Sequence, residues 1–301
     1  MHIVHGAQRA EIEEVGATLR AYRAAGRDVI DSFAAGEKPP ACHGEILAPW
    51  PNRIADGRYR APDGSAQQLP ITEPARGNAL HGLVNTVAWT PASQRDDAVE
   101  LVRELLPQPG YPFHLRMQVR YALGDTGLEC TLRATNAGDG TAPYGAGHHP
   151  YFTCPNGRVD SAVLRIPADG VLESDVRLIP TGRTVDVTGT AFDFRTPRQL
   201  GDLTLDHCFA QLHPDADGMV RVSVEDPQRW RTTIWMRPPF RWLMVFSSDT
   251  LAPPLHRRAL AVEPMTCPPN AFNSGEDVIL LAPGESAETS WGITAEGASG
   301  G

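Results

Sequence analysis

The chain has 301 residues and a formal net charge of −9, and of its 27 basic residues only Lys38 is a lysine. Schiff-base enzymes, P-loop NTPases and protein kinases each need a lysine in a defined context, and the turn-like Gly36-Glu37-Lys38-Pro39-Pro40 offers none of them. An acidic balance with no basic run longer than Arg257-Arg258 also excludes nucleic acid as the expected partner, because phosphate backbones are bound by concentrated positive charge.

The first predicted elements lie in residues 7–25. Alanine, glutamate, leucine and arginine there favour helix by propensity, but Gly16 and the short apolar spacings fit strands, and strands are the reading taken. A strand is predicted over 99–105. Leu115-Arg116-Met117-Gln118-Val119-Arg120-Tyr121 then alternates apolar with polar positions, and Leu128-Glu129-Cys130-Thr131-Leu132-Arg133-Ala134 repeats the pattern after Gly124-Asp125-Thr126-Gly127. This predicts a hairpin with one buried face. After a strand over 162–166, a second hairpin joins 220–225 to 230–236 through a turn at Asp226-Pro227-Gln228. Strands over 242–247, 278–281 and 286–294 complete the series. The 28 glycines and 27 prolines are spread along the chain instead of marking a linker, and no long amphipathic helix is predicted. The expected fold class is therefore all-β, a large antiparallel β-sandwich forming a single domain over 1–296, with a flexible tail over 297–301.

Several negative readings follow. The longest aliphatic run, Val278-Ile279-Leu280-Leu281-Ala282, is far short of the ~20 residues that span a bilayer, and the N-terminus lacks a signal-peptide layout, so no membrane and a cytoplasmic location are expected. The five cysteines are odd in number, widely spaced and without a Cys-x-x-Cys pair, which points to neither disulfides nor a zinc ribbon. Gly297-Ala298-Ser299-Gly300-Gly301 matches the form of a nucleophile elbow but lacks the helix such an elbow needs after it.

Candidate chemistry sits in segments that place ionisable groups among apolar neighbours, where burial shifts proton affinities. They are Pro51-Asn52-Arg53-Ile54, Leu80-His81-Gly82-Leu83, Gly147-His148-His149-Pro150-Tyr151-Phe152, Leu205-Asp206-His207-Cys208-Phe209 and Ala261-Val262-Glu263-Pro264-Met265-Thr266. Consecutive strand residues face opposite sides, so His148 and His149 cannot both line one pocket. Taken singly, Arg53 reads as a salt-bridge arginine and Glu263 beside Pro264 as a strand end. His81, His149, Asp206 and Glu263 are metal-capable, but no compact ligand spacing supports a metal, and none is expected.

In this order the segments resemble the aldose 1-epimerase (galactose mutarotase-like) family. The resemblance runs from Glu14-Val15-Gly16-Ala17-Thr18-Leu19 to Leu281-Ala282-Pro283-Gly284-Glu285-Ser286, and Asn270 and Asn273 fit the loop after Glu263. Leu83 stands where close mutarotases carry a second glycine, and Pro150 where they carry a serine or similar residue, which marks a divergent branch. The resemblance implies a β-sandwich with an open polar groove across one sheet, and interconversion of the α and β anomers of a free aldose. Ring opening needs a base on the C1 hydroxyl and an acid at the ring oxygen. The implied base is Glu263 and the implied acid His149, with a bell-shaped pH dependence. His81 stabilises developing charge, and Arg53, Asp206 and Asn52 bind sugar hydroxyls. Trp242 or Phe246 could offer an apolar face to the sugar, but core packing is the expected role of both. No cofactor is needed; the expected partner is a small-molecule sugar, and the assembly a monomer or homodimer. The competing readings are an epimerase for a phosphorylated or acidic sugar using Arg76, Arg237 or Arg241, a non-catalytic sugar-binding protein, and a glycoside hydrolase using Glu263 and Asp206.

Overall fold

The computed structural model describes residues 1–226 and 229–297. The turn read at 226–228 and the tail and Gly-x-Ser-x-Gly match at 297–301 therefore fall partly outside the described residues.

The alternation in residues 115–136 becomes a hairpin whose strands Leu115–Gly124 and Gly127–Asn136 pair antiparallel from Leu115↔Asn136 to Gly124↔Gly127. Leu115, Met117, Val119 and Tyr121 are fully buried, and Cys130, Leu132 and Ala134 meet them from the partner strand. Gly127 is required where it stands: its φ is +122°, and a Cβ there would lie 1.9 Å from the Ile293 carbonyl oxygen. The hairpin supplies the third and fourth strands of a nine-stranded sheet, which continues through the central Ser286–Gly297 to the second predicted hairpin, Val220–Asp226 with Trp230–Met236. Residues 7–25 form strands, Gln8–Ile12 and Leu19–Ala24, in a four-stranded N-terminal sheet; tertiary burial of Ala10, Ile12, Leu19, Tyr22 and Ala24 outweighs local helix propensity.

A second large sheet positions the chemistry. Its strands run in the order Pro180–Asp186, Ala168–Ser174, Asp206–Leu212, Trp242–Phe246, Ala259–Met265, Gly147–His148 and Ile46–Leu47, with Tyr151–Thr153 also paired to Ala259–Met265. Phe209, Leu243, Val245, Leu260 and Val262 point into the core shared with the nine-stranded sheet. The alternate positions, Cys208, Met244, Glu263 and Met265, lie on the other face. The architecture is the expected all-β sandwich.

The Ala259–Met265 strand escapes sequence prediction because all seven of its residues are buried, which erases the period-two signal. Pro264 does not end it. The strand pairs with Tyr151–Thr153 up to Ala261 and with Gly147 at Met265, so the proline falls where the neighbour changes and no ladder donor is needed on that side.

Candidate active site

The same change of neighbour exposes Glu263 and His149 to each other. His149 follows the short Gly147–His148 strand; its N–H donates to the Glu45 carbonyl at 3.0 Å and its own carbonyl accepts from Gly44 at 2.9 Å. The two histidines point apart, as strand geometry requires. His148 packs on Trp291 with ring centroids 5.2 Å apart, whereas His149 Nε2 lies 3.3 Å from Glu263 Oε1.

His81 is set by the tight Leu80-His81-Gly82 turn. Its backbone has φ +64°, an uncommon conformation for a non-glycine residue, and Gly82 follows at φ +79°. A Cβ on Gly82 would lie 2.0 Å from the Ala48 carbonyl oxygen, so only glycine fits. Asn52 holds His81 from both sides of its backbone: His81 N–H donates to Asn52 O at 2.9 Å, and Asn52 N–H donates to His81 Nδ1 at 3.3 Å. With Nδ1 accepting, neutral His81 carries its proton on Nε2. Asn52 Oδ1 also accepts from Arg53 Nη1 at 3.3 Å, while Arg53 Nε and Nη2 each donate to Glu73 at 3.0 Å in a bidentate pair.

All six residues singled out in the sequence, Asn52, Arg53, His81, His149, Asp206 and Glu263, line one cavity of about 170 Å³. Phe246 and Arg76 join them; Trp242 and Arg241 line a different cavity of about 450 Å³, and Arg237 packs over Trp235. The larger cavity lacks an acid and a base facing each other, so size does not identify the site. Sequence reasoning missed Glu73, which orients both Arg53 and Arg76, and gave no role to Tyr151 or Cys42 in the cavity wall. Glu73 stands in an unremarkable loop and had no signal; Tyr151 lay within a quoted motif.

Electrostatics follow from burial. Glu263 is held well above the usual carboxylate range by desolvation, with Asp206 adding to the effect and Arg53 opposing it. His149 is driven well below its ordinary value by burial, helped by the nearby His81 and His43, and His81 is lowered to about 3 by burial and Arg53. Asp206 is raised by burial against the pull of Arg53 and Arg76. Both shifts in the His149–Glu263 pair disfavour the doubly charged form, so the pair shares one proton between facing atoms.

Sequence spacing gave no hint that donor atoms of His81, His149 and Glu263 lie within 4.8 Å of one another. Their hydrogen bonds do not fit coordination. A metal-bound histidine donates its far N–H to an acceptor, whereas His81 Nδ1 receives a hydrogen bond and His149 Nδ1 has no partner among the described residues. His81 therefore carries its proton on Nε2, in a cavity that His149 and Glu263 also line.

The family model described as Aldose 1-epimerase matches residues 1–294. An uncharacterized protein of Escherichia coli strain K12, YihR, is 36% identical over 281 residues, 93% of this chain and 88% of its own. Human galactose mutarotase is 34% identical over 212 residues, covering 64% of this chain and 59% of its own length. Among solved structures, a GalM/aldose epimerase homologue from C. elegans superposes with a TM-score of 0.89 at 21% identity, covering 99% of each chain.

Proposed function

The chain belongs to the aldose 1-epimerase family, and from that premise we propose that it interconverts the α and β anomers of a free, uncharged aldose. The observation that carries this reading is the buried contact of 3.3 Å between His149 Nε2 and Glu263 Oε1, with the second carboxylate oxygen of Glu263 lacking a partner among the described residues. A hemiacetal seated in the cavity against both side chains presents the C1 hydroxyl to Glu263 and the ring oxygen to His149.

In the reactive form Glu263 is ionised and His149 protonated, one proton transfer away from the neutral pair favoured by burial. Glu263 removes the C1 hydroxyl proton as His149 protonates the ring oxygen, the C1–ring-oxygen bond breaks, and the open aldehyde turns about C1–C2. Reclosure on the other face reverses both transfers, so the proton inventory balances and no other reactant is consumed. His81 donates from Nε2 toward the ring oxygen or a neighbouring hydroxyl, and Arg53 and Asp206 orient the remaining hydroxyls. General acid and base help of about 10²–10⁴-fold each accounts for useful acceleration of a reaction that water already performs.

An uncharged substrate is favoured over a phosphorylated one because Arg76, alone of Arg76, Arg237 and Arg241, lines the cavity, and its guanidinium is already bonded to Glu73 at 2.9 Å. The test is NMR exchange between pure anomers of neutral aldoses and of their 6-phosphates. Acceleration for a neutral aldose supports the reading; acceleration confined to the phosphates, or for none, overturns it.

A further inference from the structure

Among the buried ionisable groups that the acid–base chemistry leaves unused, His43 shares a stacked tyrosine with the proposed acid. His43 is 2% exposed, and its two ring nitrogens face two acceptors: Nδ1 the Pro40 carbonyl, and Nε2 the Asp31 carboxylate at 3.0 Å. A neutral imidazole carries one N–H and one lone pair and satisfies only one of these; the imidazolium satisfies both. Asp31 is in turn gripped by Arg258 Nη2 at 2.7 Å and Nε at 3.1 Å. Although burial opposes it, the hydrogen bonds from His43 and Arg258 hold Asp31 below the usual carboxylate range.

This cluster reaches the reaction centre through one aromatic ring. His43 stacks on Tyr151 with centroids 3.7 Å apart and planes within 6°, and His149 stacks on the same tyrosine at 5.0 Å and 13°. The Tyr151 hydroxyl donates to the Ala41 carbonyl at 3.0 Å, and Asp31 N–H donates to the Tyr151 carbonyl at 2.8 Å, so the tyrosine is tied at both ends to the segments that carry His43 and its anion. His149 is otherwise faced by Glu263, His81 and Arg53, and the surroundings of His43 add Asp31 and, behind it, Arg258.

We propose that His43, as a buried imidazolium, is a positioning residue for His149: acting through Tyr151, it fixes the plane of the His149 ring and opposes a second positive charge there. A less basic His149 gives up its proton to the ring oxygen more readily, and a fixed plane keeps Nε2 on the line to Glu263. The proposal rests on the acid role given to His149 above, but it is tested separately.

His43→Phe keeps a stacking ring and removes the charge; Asp31→Asn keeps the ring and removes the negative charge that its Nε2 faces. Each is expected to lower kcat about tenfold while leaving KM within about twofold, because neither residue lines the cavity. His43→Phe removes a positive charge and makes protonation of His149 easier, so the acid limb of the pH–rate profile moves to higher pH in that variant, whereas Asp31→Asn removes an anion, leaves Arg258 behind and gives no such upward movement. Imidazole NMR of His149 without sugar reads the same upward movement independently of turnover. Should the unaltered protein exchange no anomers, the functional reading falls and the NMR titration still decides this proposal. A His149 titration that stays in place in His43→Phe, or a kcat loss of equal size at every pH in that variant, would overturn it; if His43→Phe does not fold, the same titration in His43→Gln, which also removes the charge, decides.

Discussion

His148→Leu should stabilise the protein, and more so in acid. His148 is 1% exposed between Trp291 and Phe240, neither ring nitrogen has a partner among the described residues, and burial lowers its proton affinity to about 3. The folded value lies below the unfolded one of about 6.5, so between them the unfolded chain binds a proton that the folded chain excludes, and stability falls as pH falls through that window. The slope is about 1.4 kcal/mol per pH unit, and pH 5 lies about 1.5 units into it, giving about 2 kcal/mol of destabilisation that is absent at pH 8. Leucine has no such slope. Urea unfolding of both proteins at pH 8 and pH 5 should therefore show an advantage of the variant that grows by about 2 kcal/mol in acid, with packing differences cancelling between the two pH values. At pH 8 the variant should match or exceed the native chain, since it removes buried polar atoms that each cost about 1–3 kcal/mol when unpaired. An advantage that is the same at both pH values would refute a neutral, buried His148, and with it the sidedness that turns His149 into the cavity.

Other consequences are equally direct. Because burial raises Glu263 and lowers His149, the one-proton state of the pair should span a broad plateau in kcat/KM, its acid limb below the ordinary histidine value of about 6.5 and its alkaline limb above the ordinary carboxylate value of about 4.3; an acid limb above 6.5 would contradict the burial argument. Gly82→Ala forces a left-handed residue against the Ala48 carbonyl and should lower stability by about 3 kcal/mol or more, read by urea unfolding, with loss of anomer exchange as His81 is displaced. Glu73→Gln weakens two charge-assisted bonds to Arg53 and should raise KM roughly tenfold with little change in kcat, since it acts on hydroxyl binding and not on proton transfer.

The parts of this molecule that were legible in its sequence are those whose signal is local. The 115–136 hairpin announces itself by alternation, whereas the left-handed turn at His81 and Gly82 appears only in the structure. The Ala259–Met265 strand hides because both of its faces are buried, and Asp206–Leu212 because its outer face carries Cys208 and Ala210 where a solvated strand would carry polar residues. The candidate site residues were readable because each pairs a charged or polar group with apolar neighbours, and the fold brings all six into one cavity. Glu73 and His43 were not readable: their importance comes from contacts to Arg53 and Tyr151, 20 and 108 positions away, and no local pattern records such a distance.

The proton-transfer role of Glu263 is tested most directly by Glu263→Gln. Anomer exchange of freshly dissolved α-glucose or α-galactose, followed by NMR, should fall by about 10²–10⁴-fold in the variant while sugar binding stays measurable by calorimetry. Full exchange activity in Glu263→Gln, with the sugar still bound, would contradict the account.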